Sequence, residues 1–203
     1  MPQRLNLDTM SPMGPKRKSV GRTGSVRIVG GRWRGRRINL DPDAEIRPTA
    51  DRIRETLFNW LAPVISGMRC LDLFAGTGAL GLEALSRGAA EAVFVEKNAA
   101  ATNALGNWLN RVDCRTASVI GGDALGFLNE SPTPFDLVFL DPPFGAIDLE
   151  NLCTLLERSW LAPGAWIYME LGRRTDLPEL PPTWGVVREK TAGQVRFALA
   201  KRK

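Results

Sequence analysis

The most specific chemistry in the chain lies in residues 136–144, DLVFLDPPF. An apolar run of strand type ends in Asp141-Pro142-Pro143-Phe144. These residue types suit one demanding task. The exocyclic amino group of a nucleobase is a poor nucleophile, because its lone pair is delocalised into the ring. Asp141 can accept one of its N–H hydrogens and the Pro142 carbonyl can accept the other. Two acceptors held off the ring plane favour a pyramidal nitrogen with its lone pair directed outward. Pro142 and Pro143 fix φ and leave their carbonyls free of helix pairing. Phe144 can stack on a base swung out of its helix. Taken alone, the same four residues also describe a rigid turn after a strand.

A second segment narrows the choice. Residues 71–81 read LDLFAGTGALG, a strand that ends in a glycine turn and continues as a helix. Glycines let a ligand approach the backbone closely, and the helix N-terminus offers unpaired N–H groups. Gly76, Gly78 and Gly81 match the dinucleotide fingerprint. Glu96, 20 residues past Gly76, ends the next strand, where a ribose-binding acid belongs. The turn therefore points to a nucleoside-bearing cofactor and permits a nicotinamide enzyme. Asp72, inside the strand, tilts the reading toward S-adenosylmethionine, whose cationic methionine end an acid at this point would face. The chain has no histidine. A Ser-His-Asp triad, a histidine base and histidine-ligated metals are excluded. Transfer from a sulfonium needs no strong base, because the cofactor carries the reactivity and the proton can leave afterwards.

Both segments need a scaffold that opens their strands into one crevice. From residue 69 onward strand and helix patterns alternate. Strands are expected at 69–74, 91–96, 116–120, 135–141 and 164–171, with helices at 78–87, 98–110, 123–129 and 148–160. This alternation predicts a doubly wound, mostly parallel sheet with helices on both faces. In such a sheet the fourth strand lies beside the first, so Asp141 and the glycine turn share a crevice. Residues 184–190 and 194–200 read as a terminal hairpin adding an antiparallel strand. Upstream, residues 25–40 read as a small β-hairpin turning at Gly30-Gly31. Arg32, Arg34 and Arg36 would then share one strand face, a basic ribbon suited to phosphates. Thr49 is the expected N-cap of a helix carrying Ile53, Leu57, Trp60, Leu61 and Val64. Arg47, Arg52 and Arg54 stand near its start and continue the basic theme, although one or two of them could simply be exposed charges. The expected organisation is a disordered basic tail (1–24), a hairpin-and-helix extension (25–65) and a catalytic domain (66–203).

Charge distribution suggests a partner. The net charge is +5, but residues 1–37 carry ten basic residues and one acid, and the remainder is net negative. A basic end on a mildly acidic body fits a polyanion such as nucleic acid. No apolar run approaches the ~20 residues of a membrane helix, and no secretory signal stands at the start, so a cytoplasmic protein is expected. Cys70, Cys114 and Cys153 have no metal-site or redox spacing and read as reduced thiols. No metal is expected.

With these motifs in place, the chain resembles the RsmD family, bacterial methyltransferases that modify the 2-amino group of a guanine in 16S ribosomal RNA. The matching segments are RIVGGRWRGRRI, RPTADRIRETLFNWL, LDLFAGTGALGLEALSRGA, LDPPF and REKTAGQV, spanning residues 27 to about 197. The resemblance implies a Rossmann-like sheet of seven strands. It implies S-adenosylmethionine as cofactor and S-adenosylhomocysteine as product. It places Asp72, Phe74, Ala75, Gly76 and Gly78 around the methionine and ribose. Glu96 would take the ribose hydroxyls, Lys97 would border the adenine, and Asp123 and Ala124 would contact its edge and ring. Arg47, Pro48 and Thr49 would close the methionine side, and Asp141 to Phe144 would hold the guanine. Arg27, Arg32, Arg34, Arg36, Arg37, Arg47 and Arg52 would grip RNA. The implied partner is the small ribosomal subunit or its assembly intermediate, met by a monomer.

Four other readings make different demands. An amino-directed methyltransferase acting on adenine in RNA or DNA is the nearest alternative, and the DNA enzymes need a sizeable target-recognition domain, for which the chain has little room. A protein glutamine methylase carries Asn where this chain has Asp141. A dehydrogenase needs a catalytic Lys, Tyr or His and a substrate domain, and Tyr168 is the chain's single tyrosine. A non-enzymatic RNA-binding relative would have lost residues of the Asp-Pro-Pro-Phe segment, which is intact.

Overall fold

The computed structural model describes residues 25–39, 51–143, 145 and 147–203. The expectations for the basic tail, the 41–48 connection, Arg47, Pro48, Thr49 and Phe144 lie outside these residues.

Nine strands and five α-helices follow in order among the described residues. They are β1 (Ser25–Arg27), β2 (Arg37–Asn39), α1 (Asp51–Leu61), β3 (Arg69–Asp72), α2 (Ala79–Ser86), β4 (Glu91–Glu96), α3 (Ala99–Arg111), β5 (Ala117–Gly121), α4 (Ala124–Leu128), β6 (Phe135–Leu140), α5 (Leu149–Glu157), β7 (Leu161–Gly172), β8 (Trp184–Ala192) and β9 (Val195–Arg202). Strands β3 to β9 form one seven-stranded sheet in the order β5-β4-β3-β6-β7-β9-β8. The first five are parallel; β9 runs antiparallel between β7 and β8. A dinucleotide-binding sheet of order 3-2-1-4-5-6 has no such inserted strand. The terminal hairpin adds its antiparallel strand to the sheet as expected, with β9 inside and β8 at the edge.

The strands are apolar on both faces because helices cover both. Cys70, Phe94, Leu137, Phe139, Tyr168 and Phe197 face a layer that includes Leu57 and Phe58 of α1, Leu82 of α2 and Leu105 of α3. The alternate positions Leu71, Val93, Val138, Leu140, Ile167 and Ala198 face Leu128 of α4 and Leu152 and Leu156 of α5. Local signals set the helix starts. Asn98 caps α3 by accepting the Ala101 N–H at 3.0 Å, and Asp148 caps α5 by accepting those of Glu150 and Asn151. Helix α5 stops at Glu157, short of the expected 160, and Ser159 turns the chain with φ +75° so that β7 starts at Leu161.

The N-terminal hairpin is present but built differently. Its strands pair antiparallel over only three residues each, from Ser25↔Asn39 to Arg27↔Arg37. Between them Gly31–Trp33 form a 3-10 turn, with Gly31 at φ +72°. Trp33 turns inward, 6% exposed, and meets Trp108 of α3 edge to face at 5.2 Å between ring centroids. Arg32, Arg34 and Arg36 thus leave the strand, and no alternating face aligns them. Seating an aromatic anchor on α3 outweighs continuing so short a ladder.

Candidate active site

The crevice is assembled at the carboxyl ends of β3, β4 and β6. After Asp72 the chain makes the turn 73–78 and enters α2 through Gly78, whose φ is +75°. A Cβ on Gly78 would lie 2.6 Å from Leu105 Cδ1, so this left-handed position admits glycine alone. Gly76, at φ +51°, donates its N–H to Glu96 Oε2 at 2.7 Å. The Ala75 N–H reaches the Val95 carbonyl at 2.9 Å, and the Leu73 N–H reaches that of Phe139 at 3.2 Å. The loop is stitched to both flanking strands. Gly81 brings the helix down onto the sheet, where a Cβ would lie 2.3 Å from Phe94 Cε1.

Asp72 is 2% exposed, and its Oδ2 accepts the Gly81 N–H at 2.9 Å. The carboxylate therefore satisfies one of the orphan donors in the first turn of α2. Burial dominates its titration. It pushes the carboxyl from the ordinary 3.8 up to about 7, against the Gly81 hydrogen bond and with help from the charges of Asp141 and Glu96. Three carboxylates from three adjacent strands thus feel one another across one crevice. Such an acidic wall suits a ligand carrying positive charge.

Glu96 is half-buried and already occupied, with Oε1 accepting the Asn98 N–H at 2.7 Å. A carboxylate offers about four lone-pair sites. Two remain for the vicinal hydroxyls of a ribose. Lys97 beside it is exposed. Asp123 caps α4 through the Gly126 N–H at 2.9 Å, while Ala124 is buried. The Gly122 N–H to the Glu96 carbonyl, 3.1 Å, holds the β5 end next to the β4 end. Phe74 is partly exposed and Ala75 buried. The described residues that the sequence singled out for a cofactor therefore stand at the carboxyl ends of β3, β4 and β5.

Asp141 follows β6 directly and is partly exposed; Pro142 is buried and Pro143 exposed. The register Leu140↔Met169 carries Asp141 alongside Glu170 on β7. Sequence reasoning missed this neighbour. Glu170, 5% exposed, accepts the Tyr168 hydroxyl at 2.8 Å. Burial first, then the charges of Glu170 and Asp141, push the Tyr168 phenol well above its ordinary value, so it stays a donor. A lone tyrosine inside an apolar strand, two residues before a glutamate, was the available signal.

The arginines divide. Arg27 is exposed and pairs with Asp51 at 3.5 Å, and Arg52 is exposed in the first turn of α1. Arg37 donates to Ser25 Oγ at 2.9 Å. The Trp33 N–H reaches Ser86 Oγ at 2.9 Å, and Ser86 Oγ donates to the Gly30 carbonyl at 2.6 Å. Ser86 ends the eight-residue α2, so Arg32, Arg34 and Arg36 follow a turn seated about 12 Å along that helix from the glycine loop, at ~1.5 Å per residue. Arg54 belongs to the basic cluster at the start of α1, but it is neither an exposed charge nor open to a polyanion. It is 0% exposed and donates through Nη2 to the Arg27 carbonyl at 2.8 Å and to Asp51. Glu83, also 0% exposed, takes the Val29 N–H at 2.8 Å and Arg87 Nε at 2.7 Å. These buried charges fasten the extension to the domain. Only Glu83 had a sequence signal, as the one acid in an otherwise apolar helix.

The family described as "Conserved hypothetical protein 95" matches residues 26–201. The chain belongs to this family, the RsmD methyltransferases. This RsmD-family chain is 47% identical over 188 residues to "Ribosomal RNA small subunit methyltransferase D" of Escherichia coli K12, covering 92% of this chain and 95% of that protein. The protein of the same description from Haemophilus influenzae is 44% identical over 182 residues, covering 87% and 93%. The solved structure of the Escherichia coli protein yhhF, described as a methyltransferase, superposes with a TM-score of 0.82 at 47% identity, covering 89% of this chain and 99% of that one.

Proposed function

We propose that this methyltransferase transfers the methyl group of S-adenosylmethionine to the 2-amino group of a guanine in 16S ribosomal RNA of the small subunit. The observation that carries the reading is the juxtaposition of Asp141-Pro142-Pro143 with the glycine loop at the carboxyl ends of the adjacent parallel strands β6 and β3. The names of the Escherichia coli and Haemophilus influenzae relatives support the substrate class.

The residues fit the cofactor. Asp72 and the neighbouring carboxylates offer a counter-charge to a sulfonium and an ammonium. Glu96 retains acceptor sites for a ribose, and Gly76 and Gly78 hold the positive-φ turn between β3 and α2. When bound, S-adenosylmethionine supplies an electrophilic methyl group on sulfur.

The chain's own contribution is positioning. Asp141 and the Pro142 carbonyl accept the two N–H hydrogens of the target amine and turn its lone pair into the crevice. Pro142 is buried and Pro143 has no N–H, so the acceptor geometry is held by packing and by fixed φ. Orienting the amine in this way contributes toward the ~7–11 kcal/mol available from correct placement of reactants. After transfer the proton leaves the ammonium product, with Asp141 as its first acceptor.

The test is labelled-methyl transfer to naked 16S RNA and to small subunits, followed by nucleoside analysis. The expected product is N2-methylguanine. Asp141→Ala should abolish transfer while cofactor binding persists. Methylated adenine would overturn the base assignment, and normal turnover by the Asp141 variant would overturn the mechanism.

A further inference from the structure

The sheet carries a second set of cations on the other side of Asp141. Strand β7 ends at Gly172, and the next two residues are Arg173 and Arg174, both exposed. Asp141 is level with Glu170, so Arg173, just past the end of the adjacent strand, stands three positions beyond it, about 10 Å at ~3.3 Å per residue. The register continues laterally from Glu170 to Phe197 on β9 and from Phe197 to Lys190 on β8. Opposed residues of paired strands share a face, so Lys190 projects from the same face as Asp141. It lies three strand spacings away, about 15 Å at ~4.8 Å each.

The turn that bears the arginines is held in place. The Thr175 N–H reaches the Gly172 carbonyl at 2.9 Å, and the Arg173 N–H reaches the Gln194 carbonyl at 2.8 Å. Arg196 then binds the Thr175 carbonyl at 3.2 Å and pairs with Asp176 and Glu189. Arg196 thus engages both Asp176 and Glu189. Arg173, Arg174 and Lys190 form no ion pair among the described residues. Arg173 only touches the Gly193 carbonyl, at 3.4 Å. Three exposed cations without carboxylates, on a rigid turn and an edge strand at the mouth of the crevice, match the backbone of a polyanion. The arginines at 32, 34 and 36 sit on the far side, toward the end of α2.

We propose that Arg173, Arg174 and Lys190 form a second RNA-phosphate contact, which grips the strand on the β8 side of the target base. This inference rests on the reading of the protein as an RNA methyltransferase. It implies that the substrate lies across the carboxyl edge of the sheet, from α1 over β6 to β8.

The experiment measures binding of a 16S RNA fragment to the full chain between 50 and 200 mM salt, for the unaltered protein and for R173A/R174A/K190A. Each lost phosphate contact removes about 0.7–0.9 from the slope of log affinity against log salt. The loss of affinity across this range should therefore be smaller by about 20- to 40-fold in the triple variant. R173K/R174K, which keeps the charge, should retain the full slope. Cofactor affinity and the thermal midpoint should not move, since none of the three side chains packs in the core. An unchanged slope in the triple variant, while the unaltered protein binds and methylates the RNA, would overturn the inference. Failure of the unaltered protein to bind or methylate the RNA would overturn the functional reading instead.

Discussion

Replacing Asp72 by Asn should make the ligand-free protein more stable at pH 8 and at the same time worsen its hold on S-adenosylmethionine. The carboxyl is 2% exposed and accepts the Gly81 N–H, a bond that an asparagine oxygen can keep. Burial raises its pKa from 3.8 to about 7. A group whose folded-state pKa is raised binds its proton more tightly when folded. Its stabilising contribution is complete below pH 3.8 and is lost as pH rises through 7. The difference amounts to about 4 kcal/mol, at ~1.36 kcal/mol per unit of pKa. At pH 8 the ionised carboxylate therefore costs the empty protein that much, and Asp72→Asn removes the cost. For a chain of this size ~1 kcal/mol moves the midpoint by ~2–4 °C, so the variant should melt about 8–16 °C higher at pH 8 and nearly level at pH 4. Cofactor titration should move the other way, because the amide cannot neutralise an ammonium or sulfonium. Calorimetric melts at pH 4, 6 and 8 and isothermal titration of S-adenosylmethionine measure both. Equal melting of the two proteins at pH 8, or unchanged cofactor affinity, would refute the assignment of Asp72 as a strained counter-charge.

Two further outcomes follow from the loop. Gly81→Ala places a Cβ 2.3 Å from Phe94 Cε1, and the overpacking should cost about 1–3 kcal/mol in urea unfolding despite the better helix propensity of alanine. Glu96→Ala leaves the Gly76 and Asn98 N–H groups without their acceptor; cofactor affinity should fall at least tenfold while the melting midpoint drops by a few degrees.

The sequence by itself determined the sheet and its crevice. Apolar runs separated by helical periods dictate parallel strands covered on both faces, and a strand that ends in glycines or in Asp-Pro-Pro must end at the same edge. That much is local, because periodicity and turn chemistry are properties of adjacent residues. Asp72, Gly76, Glu96 and Asp141 could be named for this reason. Tertiary structure decided what depends on partners distant in sequence. The N-terminal arginines followed a strand alternation on paper, but Trp33 found Trp108 across 75 positions and pulled the segment into a 3-10 turn. Arg54 read as one member of a basic cluster, and only the fold buries it against the Arg27 carbonyl and Asp51. The terminal hairpin read as an antiparallel addition to the sheet, and only the fold sets the place of its last strand, between β7 and β8. That insertion sets Lys190 level with Asp141. The acidity of the crevice is likewise an outcome of packing: the charges of Asp141 and Glu96 act on buried Asp72 only because the adjacent strands end side by side.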